Sequence, residues 1–186
     1  MAVAEPRRLT LVSGPARSGK SRWAEHLAKG SGRPVIYLAT GPLLPDDSAW
    51  QERLERHRRR RPPGWECREV GGALASALDA LHADQLALVD SLGTWVAAHL
   101  ESTEAAWQLI LGTLSAAIEH CPASLVLVGE EAGWGVVPPT AAGGLFRDRL
   151  GALQQLLMQR CDSAWLVLQG RAIDLMAISQ TVPSDP

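Results

Sequence analysis

The sequence predicts a three-layer α/β fold built on a mostly parallel β-sheet. Three observations lead to this fold class. Segments with the composition of strands alternate with segments whose apolar residues recur at helical spacing, which is typical of βαβ units. The predicted strands are apolar at nearly every position, so we expect helices to cover both faces of the sheet. A glycine-rich turn with a phosphate-binding pattern joins the first predicted strand to the first predicted helix.

Length and composition indicate one folded domain. The chain has 186 residues, of which 46% are apolar and 20% charged, as in an ordinary globular protein. We expect the domain to span residues 9–178, with poorly ordered ends at 1–8 and 179–186. The formal net charge of −2 excludes a polycation that coats nucleic acid. No apolar run approaches about 18 residues, no signal peptide is recognised, and the three cysteines form no CxxC pair, so we predict a cytoplasmic protein without a membrane span.

Five segments are predicted to form the strands of this sheet. Each is a short, largely apolar run that ends in a turn or at a charged or polar residue. Their lengths suit strands, which are shorter than helices. The predicted strands, in chain order, are 9–13, 34–39, 86–90, 124–129 and 164–168.

Helical patterns occupy the intervals between these strands. The first helix opens directly after the glycine-rich turn. The second begins at the N-capping side chains of residues 46–48 and ends before the helix-breaking run Pro-Pro-Gly at 62–64. The others are predicted from apolar residues at helical spacing. In chain order the predicted helices are 19–29, 46–61, one through Leu74, Leu78 and Leu81, 107–120 and 141–161.

The strongest functional signal is the turn after the first strand, which matches the pattern GxxxxGK[ST] of phosphate-binding loops. Its glycines let backbone N–H groups approach the phosphates of a nucleotide, and the helix N-terminus adds about half a positive charge. We expect Lys20 to reach the β- and γ-phosphates and Ser21 to hold Mg²⁺. The nucleotide-binding residues predicted from this motif are Gly14, Pro15, Ala16, Arg17, Ser18, Gly19, Lys20 and Ser21.

Asp90 ends the apolar run LALVD. A carboxylate at the C-terminal end of a buried strand is where phosphate-loop proteins hold a second Mg²⁺-side ligand. The alternative is that Asp90 caps the helix that follows. Because the phosphate loop is present, we favour the metal side, and Ser21 and Asp90 are the predicted metal ligands.

The second predicted helix carries a block of positive charge, with five arginines among residues 56–61. Nearby glutamates cannot balance this block, so an anionic partner is indicated. Three interpretations remain open from the residues alone: a solvated helix face, a nucleic-acid patch, or a clamp on the phosphates of the bound nucleotide. His57 lies inside the block, where positive neighbours favour a neutral imidazole, which is a competent nucleophile toward phosphorus.

Six motifs, in order, carry a resemblance to a known family. The loop GPARSGKS is similar to GxARSGKS, and YLAT follows at 37–40. The pattern RxxxHRxxRPxxW is matched between Arg53 and Trp65. Segments 89–96 (VDSLGTWV) and 131–138 (EAGWGVVP) resemble VDCLTxWV and EVGxGIVP, and FRD stands at 146–148. From Leu9 to about Gly170, the chain resembles the bifunctional adenosylcobinamide kinase/adenosylcobinamide-phosphate guanylyltransferase family of cobalamin biosynthesis.

The resemblance implies a P-loop NTPase fold of the RecA-like type, a homotrimer and two reactions. The first phosphorylates the aminopropanol hydroxyl of adenosylcobinamide with ATP or GTP. The second transfers GMP from GTP to that phosphate and gives adenosylcobinamide-GDP. The family's guanylyl carrier is a histidine, which His57 matches, so His57 and Lys20 are the expected catalytic residues.

The resemblance also assigns nucleotide contacts outside the phosphate loop. Ala39 and Thr40 would line the nucleotide site. The arginines and a nearby glutamate would contact the guanine nucleotide, and Asp90 would serve its metal or nucleotide side. The residues so assigned are Ala39, Thr40, Arg58, Arg59, Arg60, Arg61, Glu69 and Asp90.

Several positions depart from the family pattern. Glu130 stands where asparagine is usual, Ser91 where cysteine is common, and Gly93 is unusual at the start of a helix. Residues 140–144 (TAAGG) are small and glycine-rich where the family is more helical. These departures concern loop geometry and corrinoid specificity more than nucleotide binding.

A few residues and functions keep open alternatives. Trp134 is interpreted either as a contact for corrinoid or guanine or as packing. Arg147 and Arg149 are predicted on a helix surface, where they reach phosphate or a neighbouring subunit. The alternative functions are a P-loop small-molecule kinase without a covalent intermediate and a nucleotide-gated nucleic-acid-binding module of the RecA type, which we disfavour because the net charge is −2.

Overall fold

A seven-stranded β-sheet organises the chain in the computed structural model, which describes residues 8–135 and 138–183 apart from the side chains of Trp50, Arg53 and His57. The sheet order is β3-β2-β4-β5-β1-β6-β7. All neighbouring strands are parallel except the last pair, in which β7 runs antiparallel to β6. The strands are β1 (Leu9–Gly14), β2 (Val35–Ala39), β3 (Glu66–Glu69), β4 (Leu86–Asp90), β5 (Ser124–Glu130), β6 (Ser163–Leu168) and β7 (Arg171–Asp174).

Helices connect the strands and form the outer layers. They are α1 (Lys20–Gly30), α2 (Ser48–Arg60), α3 (Leu74–Asp79), α4 (Leu92–Ala98), α5 (Glu104–His120), α6 (Ala141–Met158) and α7 (Leu175–Ile178). Alternate strand residues enter two separate apolar clusters. Leu11 packs with residues of α3 to α6, whereas Val12 packs with Ala24 and Leu27 of α1. Because the strands bury both faces, the sheet lies between two helical layers and the predicted three-layer α/β fold is confirmed.

The sheet order brings four strand ends together. Strands β2, β4, β5 and β1 are consecutive neighbours, and all four are parallel. Ala39 pairs with Asp90 across β2 and β4, and Gly14 pairs with Glu130 across β1 and β5. Parallel strands present their C-terminal ends at one edge, where ligands of open α/β sheets bind. The phosphate loop and Asp90 therefore share an edge, as the sequence predicted.

The five predicted strands and five predicted helices are present, with ends shifted by a few residues. Helix α3 ends at Asp79, so Leu81 lies beyond it, and α5 begins earlier than predicted because Thr103 caps it at Ala106 N. Helix α6 begins at Ala141 despite its two early glycines, because the Thr140 hydroxyl accepts from Gly143 N. Three elements were not among the predicted strands and helices, namely β3, β7 and α7, while α4 was expected only from the resemblance, which places the start of a helix at Gly93.

No helix in the described part of the chain is long and apolar enough to cross a membrane. Residues 1–7 and 184–186 lie outside the described residues, so the predicted poorly ordered ends stay predictions there. The carbonyl of Arg8 accepts a 2.7 Å hydrogen bond from Leu125 N. The chain is thus attached to the sheet one residue before β1.

Candidate active site

The phosphate loop spans the gap between β1 and α1, and its backbone explains its glycines. A Cβ on Gly14 would collide with the backbone carbonyl of Val167 on β6, so only glycine fits there. Gly19 has φ 102°, a left-handed conformation that glycine adopts without a steric cost. The carbonyl of Ser18 accepts a 2.9 Å hydrogen bond from Gly170 N, in the turn between β6 and β7. The last two strands therefore support the loop from outside.

Lys20 is the first residue of α1 and is 8% exposed. Its Nζ lies 3.4 Å from the carbonyl oxygen of Pro15, within the loop itself. Ser21 follows in the first turn of α1 and is half-buried. The lysine side chain thus folds back over the loop, as expected of a group that contacts phosphates bound by the loop amides.

A cavity of about 340 Å³ opens beside this loop at the C-terminal edge of the sheet. It is lined by residues of the phosphate loop, β2, β3, β4 and the end of the arginine block, which are far apart in sequence. The predicted site residues that line it are Ala16, Lys20, Ala39, Arg61, Glu69 and Asp90. A second cavity of about 290 Å³ lies at the opposite edge, between Arg8, Glu119, Arg160 and Asp162, and contains none of them.

Asp90 is held by a tyrosine from the neighbouring strand. The Tyr37 hydroxyl donates a 2.7 Å hydrogen bond to Asp90 Oδ2, and burial raises the pKa of Tyr37 far above its usual value. The guanidinium of Arg61 lies 3.4 Å above the centre of the Tyr37 ring and donates a 3.1 Å hydrogen bond to Cys67 Sγ. The helix-cap alternative for Asp90 fails, because Ser91 caps α4. Asp90 instead faces the cavity.

Thr40 connects two elements beside the cavity. It is 1% exposed, its hydroxyl donates to Ser91 O at 2.6 Å, and it accepts from Ser91 N at 2.8 Å. The Thr94 hydroxyl oxygen lies 2.6 Å from the Thr40 hydroxyl oxygen. Thr40 therefore joins the end of β2 to the start of α4 and does not line the cavity.

Glu130, at the end of β5, is a third carboxylate in the cavity, besides Glu69 and Asp90. Its Oε2 accepts a 2.9 Å hydrogen bond from Gly93 N. Burial is the largest influence on Glu130 and raises its pKa, against smaller lowering effects of the Ser91 hydroxyl and the Lys20 charge. A Cβ on Gly93 would lie 2.8 Å from Glu130 Cδ. Two departures from the family pattern are therefore in direct contact.

The arginine block divides into side chains with different partners. Arg58 pairs with Glu69 at 3.3 Å at the cavity, and Arg61 lines the cavity itself. Arg60 donates two 2.7 Å hydrogen bonds to Glu25 of α1, and Arg59 pairs with Glu55 on the exposed side of α2. Helix α2 carries His57 in its last two turns, but the His57 side chain lies outside the described residues.

One arginine is misjudged by the sequence pattern. The sequence predicted Arg149 on a helix surface, but its exposed fraction is only 5%, so this prediction is wrong. Arg149 donates to the carbonyls of His99, Leu100 and Ser102 at 3.0, 3.3 and 2.8 Å, and its guanidinium lies 4.8 Å from the Trp107 ring centre. Arg149 therefore holds in place the segment that directly follows α4.

The remaining predictions differ in outcome. Arg147 is on the helix surface and pairs with Asp148 at 2.9 Å. Trp134 is 60% exposed in the loop after β5 and is not packed into the core. Residues 136 and 137 of the same motif lie outside the described residues.

Residues that the sequence reasoning did not assign to the site also line the cavity. Tyr37 was part of a motif, but its bond to Asp90 depends on strand pairing that the sequence does not reveal. Glu130 was seen only as a departure, although it ends an apolar strand just as Asp90 does, and that signal could have identified it. The further lining residues without a predicted role include Leu54, Ser91, Thr94 and Phe146.

Comparison with known proteins gives a family match over most of the chain. The family model for cobinamide kinase / cobinamide phosphate guanyltransferase matches residues 10–175. The bifunctional adenosylcobalamin biosynthesis protein CobU of Escherichia coli (strain K12) is 34% identical over 182 residues, which cover 90% of this chain and 99% of that protein. The bifunctional adenosylcobalamin biosynthesis protein CobP of Pseudomonas aeruginosa is 36% identical over 169 residues, covering 89% and 95% of the two chains.

Solved structures share the fold at low sequence identity. An ATPase from the type III secretion system of pathogenic bacteria superposes with a TM-score of 0.57 at 10% identity, covering 94% of this chain and 59% of that one. The flagellar accessory protein FlaH from Methanocaldococcus jannaschii gives 0.51 at 11% identity, covering 96% and 85%. At such identities the likeness concerns the fold alone and agrees with the predicted RecA-like P-loop architecture.

Proposed function

Because this chain belongs to the cobinamide kinase / cobinamide phosphate guanyltransferase family, we propose that it phosphorylates adenosylcobinamide and then transfers GMP to the product through His57. The observation that carries this proposal is the cavity at the sheet edge. It joins Lys20 of the phosphate loop, Asp90 and the arginine block, next to the helix that contains His57. A nucleotide with its phosphates on the loop would lie within reach of all of them.

In the kinase step, the phosphate loop binds the triphosphate of ATP or GTP. Backbone N–H groups of residues 16–20 surround the phosphates, and the Lys20 ammonium neutralises charge on the β- and γ-phosphates. The aminopropanol hydroxyl of the corrinoid attacks the γ-phosphorus, and the nucleoside diphosphate leaves. The residues contribute mainly by positioning and by electrostatic stabilisation of the transferred group.

The residues also fit Mg²⁺, although the described ones contain no group of three or more His, Cys, Asp or Glu side chains that could hold a metal ion alone. Mg²⁺ is usually held by one or two protein oxygens together with substrate phosphates and waters. The Ser21 hydroxyl and Asp90 would supply those oxygens, and Tyr37 fixes the orientation of the Asp90 carboxylate. When bound, the ion neutralises phosphate charge.

In the guanylyltransferase step, the imidazole of His57 attacks the α-phosphorus of GTP. A phosphorus–nitrogen bond forms, and pyrophosphate leaves with its charge neutralised by Lys20 and the loop amides. The phosphate of the corrinoid then attacks the same phosphorus and releases His57. Arg58, Arg61 and Glu69 contact the guanine nucleotide, while Arg60 and Arg59 are occupied by Glu25 and Glu55.

The working protein is proposed to be a cytoplasmic homotrimer. The likeness of the relatives over nearly their whole length supports a shared assembly. Equilibrium sedimentation of the purified chain measures the oligomeric state directly, and a monomer at micromolar concentration would contradict the homotrimer.

Covalent labelling tests the role of His57. Wild-type protein, His57→Ala, Lys20→Ala and the control His82→Ala are incubated with Mg²⁺ and GTP labelled at the α-phosphorus. We expect an acid-labile, alkali-stable adduct in wild type and in the control, none in His57→Ala, and strongly reduced labelling in Lys20→Ala. Labelling that persists in His57→Ala would exclude His57 as the carrier.

The labelling, followed by a corrinoid phosphorylation assay, separates the alternative functions. Another P-loop small-molecule kinase without a covalent intermediate would bind GTP and give no adduct, and the phosphorylation assay shows whether the corrinoid is its acceptor. A nucleic-acid-binding module would give neither reaction, and its binding to nucleic acid would weaken steeply with salt.

A further inference from the structure

Glu130 and Gly93 form a size-matched pair inside the cavity. A Cβ at position 93 would lie 2.8 Å from Glu130 Cδ and still closer to Oε2, so the carboxylate occupies the space that any other residue at 93 would need. The Gly93 N–H then donates to Oε2 at 2.9 Å. The glycine thus admits a carboxylate to the cavity and holds it in one position.

The backbone of Glu130 lies next to the phosphate loop. It pairs with Gly14 in the sheet register, and the following residue, Glu131, donates its N–H to Gly14 O at 3.0 Å. Strand β5 lies between the strand of Asp90 and the strand that leads into the phosphate loop. A carboxylate here is near the place where the γ-phosphate and its attacking group must meet.

The chemistry of Glu130 suits proton transfer. The hydrogen bond to its carboxylate comes from a neutral donor, the Gly93 N–H, and the neutral Ser91 hydroxyl is a smaller influence that lowers its pKa. Lys20 and Asp90 are the charged groups that influence it, with opposite signs. Burial raises the pKa of Glu130, and a carboxylate of raised pKa is a stronger base at neutral pH.

We propose that Glu130 is the general base of the kinase step. As the corrinoid hydroxyl oxygen forms its bond to the γ-phosphorus, the hydroxyl proton moves to the Glu130 carboxylate and the bond from the γ-phosphorus to the bridging oxygen breaks. The products are the corrinoid phosphate, the nucleoside diphosphate and protonated Glu130, which returns its proton to water. This inference rests on the kinase activity proposed above.

The second reaction supplies an internal control. Its acceptor is a phosphate monoester, whose second pKa is about 6, so its oxygen carries no proton near pH 8. Guanylyl transfer therefore needs no general base for the acceptor. A variant that loses only the ability to take a proton should lose the first reaction and keep the second.

The test measures both reactions separately at pH 8 for wild type, Glu130→Gln and the matched control Glu131→Gln. Glutamine keeps the shape and an oxygen that accepts from Gly93 N, but it cannot accept the proton. We expect the kinase kcat of Glu130→Gln to fall by about 10²-fold or more, with guanylyl transfer to synthetic corrinoid phosphate changed less than about 3-fold. Glu131→Gln should match wild type in both.

Other outcomes decide against the inference in distinguishable ways. Equal kinase rates in wild type and Glu130→Gln would exclude Glu130 as the general base. Parallel loss of both reactions, with nucleotide binding intact, would make Glu130 a residue that only holds α4. A wild-type protein without kinase activity would overturn the proposed kinase step itself, and the role of Glu130 with it.

A second variant keeps the test decisive if Glu130→Gln fails to fold. Gly93→Ala leaves the carboxylate in the chain and displaces it, because the flexible end of Glu130 can move away from the new Cβ. We expect a selective loss of the kinase step in this variant too. Wild-type kinase kcat should also fall as pH is lowered and Glu130 becomes protonated, and kinase activity in Gly93→Ala equal to wild type across that pH range would contradict the proposal.

Discussion

The hydroxyl of Tyr37 donates a 2.7 Å hydrogen bond to Oδ2 of Asp90 from the adjacent strand, beneath the guanidinium of Arg61. Strand pairing makes this contact possible, because Tyr37 and Asp90 lie two residues apart in the register of β2 and β4. One oxygen of the predicted Mg²⁺ ligand is therefore already occupied. The tyrosine fixes which way the carboxylate faces the cavity.

Replacing Tyr37 by phenylalanine should weaken Mg²⁺ binding, because the Asp90 carboxylate is then no longer held in one orientation. Partners that orient a metal ligand typically contribute about 10–100-fold in metal affinity. We expect Tyr37→Phe to raise the Mg²⁺ concentration for half-maximal kinase activity by about 10-fold, while the metal-free affinity for nucleotide changes little. Titration of activity against Mg²⁺ measures this, and an unchanged midpoint would show that Tyr37 does not orient Asp90.

The ion pair between Arg60 and Glu25 should anchor helix α2. It has two hydrogen bonds of 2.7 Å, and its side chains are only 31% and 10% exposed. We expect a coupling free energy of about 1–2 kcal/mol from a double-mutant cycle with Arg60→Ala and Glu25→Ala. The pair Arg59–Glu55, at 80% and 49% exposed, is the control and should give about 0.5 kcal/mol or less. Equal couplings would contradict the anchoring role.

Arg149 should be the most costly arginine to remove. Its guanidinium donates to three backbone carbonyls after α4, and truncation removes all three bonds, leaving His99 O with only its bond from Ser102 N. We expect Arg149→Ala to lower the free energy of unfolding by about 3 kcal/mol, measured by urea denaturation. Arg147→Ala, in the exposed pair with Asp148, should lower it by less than about 1 kcal/mol. A small effect at Arg149 would mean that water replaces its bonds.

The ionised Glu130 carboxylate should lower the free energy of unfolding at neutral pH. Because burial raises its pKa in the folded state, the folded protein binds the proton more tightly than the unfolded chain, so this group's contribution to stability falls as pH rises through the unfolded and then the folded pKa. Glu130→Gln removes that titration. We expect the variant to gain stability over wild type at pH 8 and to lose this advantage as pH falls below the usual range for glutamate. Thermal unfolding across pH tests the sign, and an advantage that grows toward acid would refute it.

Much of the fold follows from local sequence. Strand β4 reads LALVD, and its first four residues are buried, so an apolar run predicted both its presence and its burial on two faces. The phosphate loop was predicted equally well, because its glycines and Lys20 lie within eight consecutive residues. Such features depend on neighbours in the chain, which the sequence displays directly.

The elements that escaped prediction depend on distant partners. Strand β3 reads ECRE and is largely exposed, because it lies at the sheet edge and needs no apolar alternation. Arg149 looked like a surface residue because its partners are carbonyls about 50 positions away. The contact between Gly93 and Glu130 joins residues 37 positions apart. No local pattern marks such contacts.

The hydrogen bond from Gly170 N to Ser18 O has a consequence for how the protein is made. A ribosome releases β1 and Lys20 early, but the turn that braces their loop, at Gln169 and Gly170, follows about 150 residues later. Strand β1 also takes its neighbours from β5 and β6, in the second half of the chain. A nascent chain therefore contains its phosphate-loop motif long before the nucleotide site can form. Chains truncated before Gln169 should be unable to retain GTP.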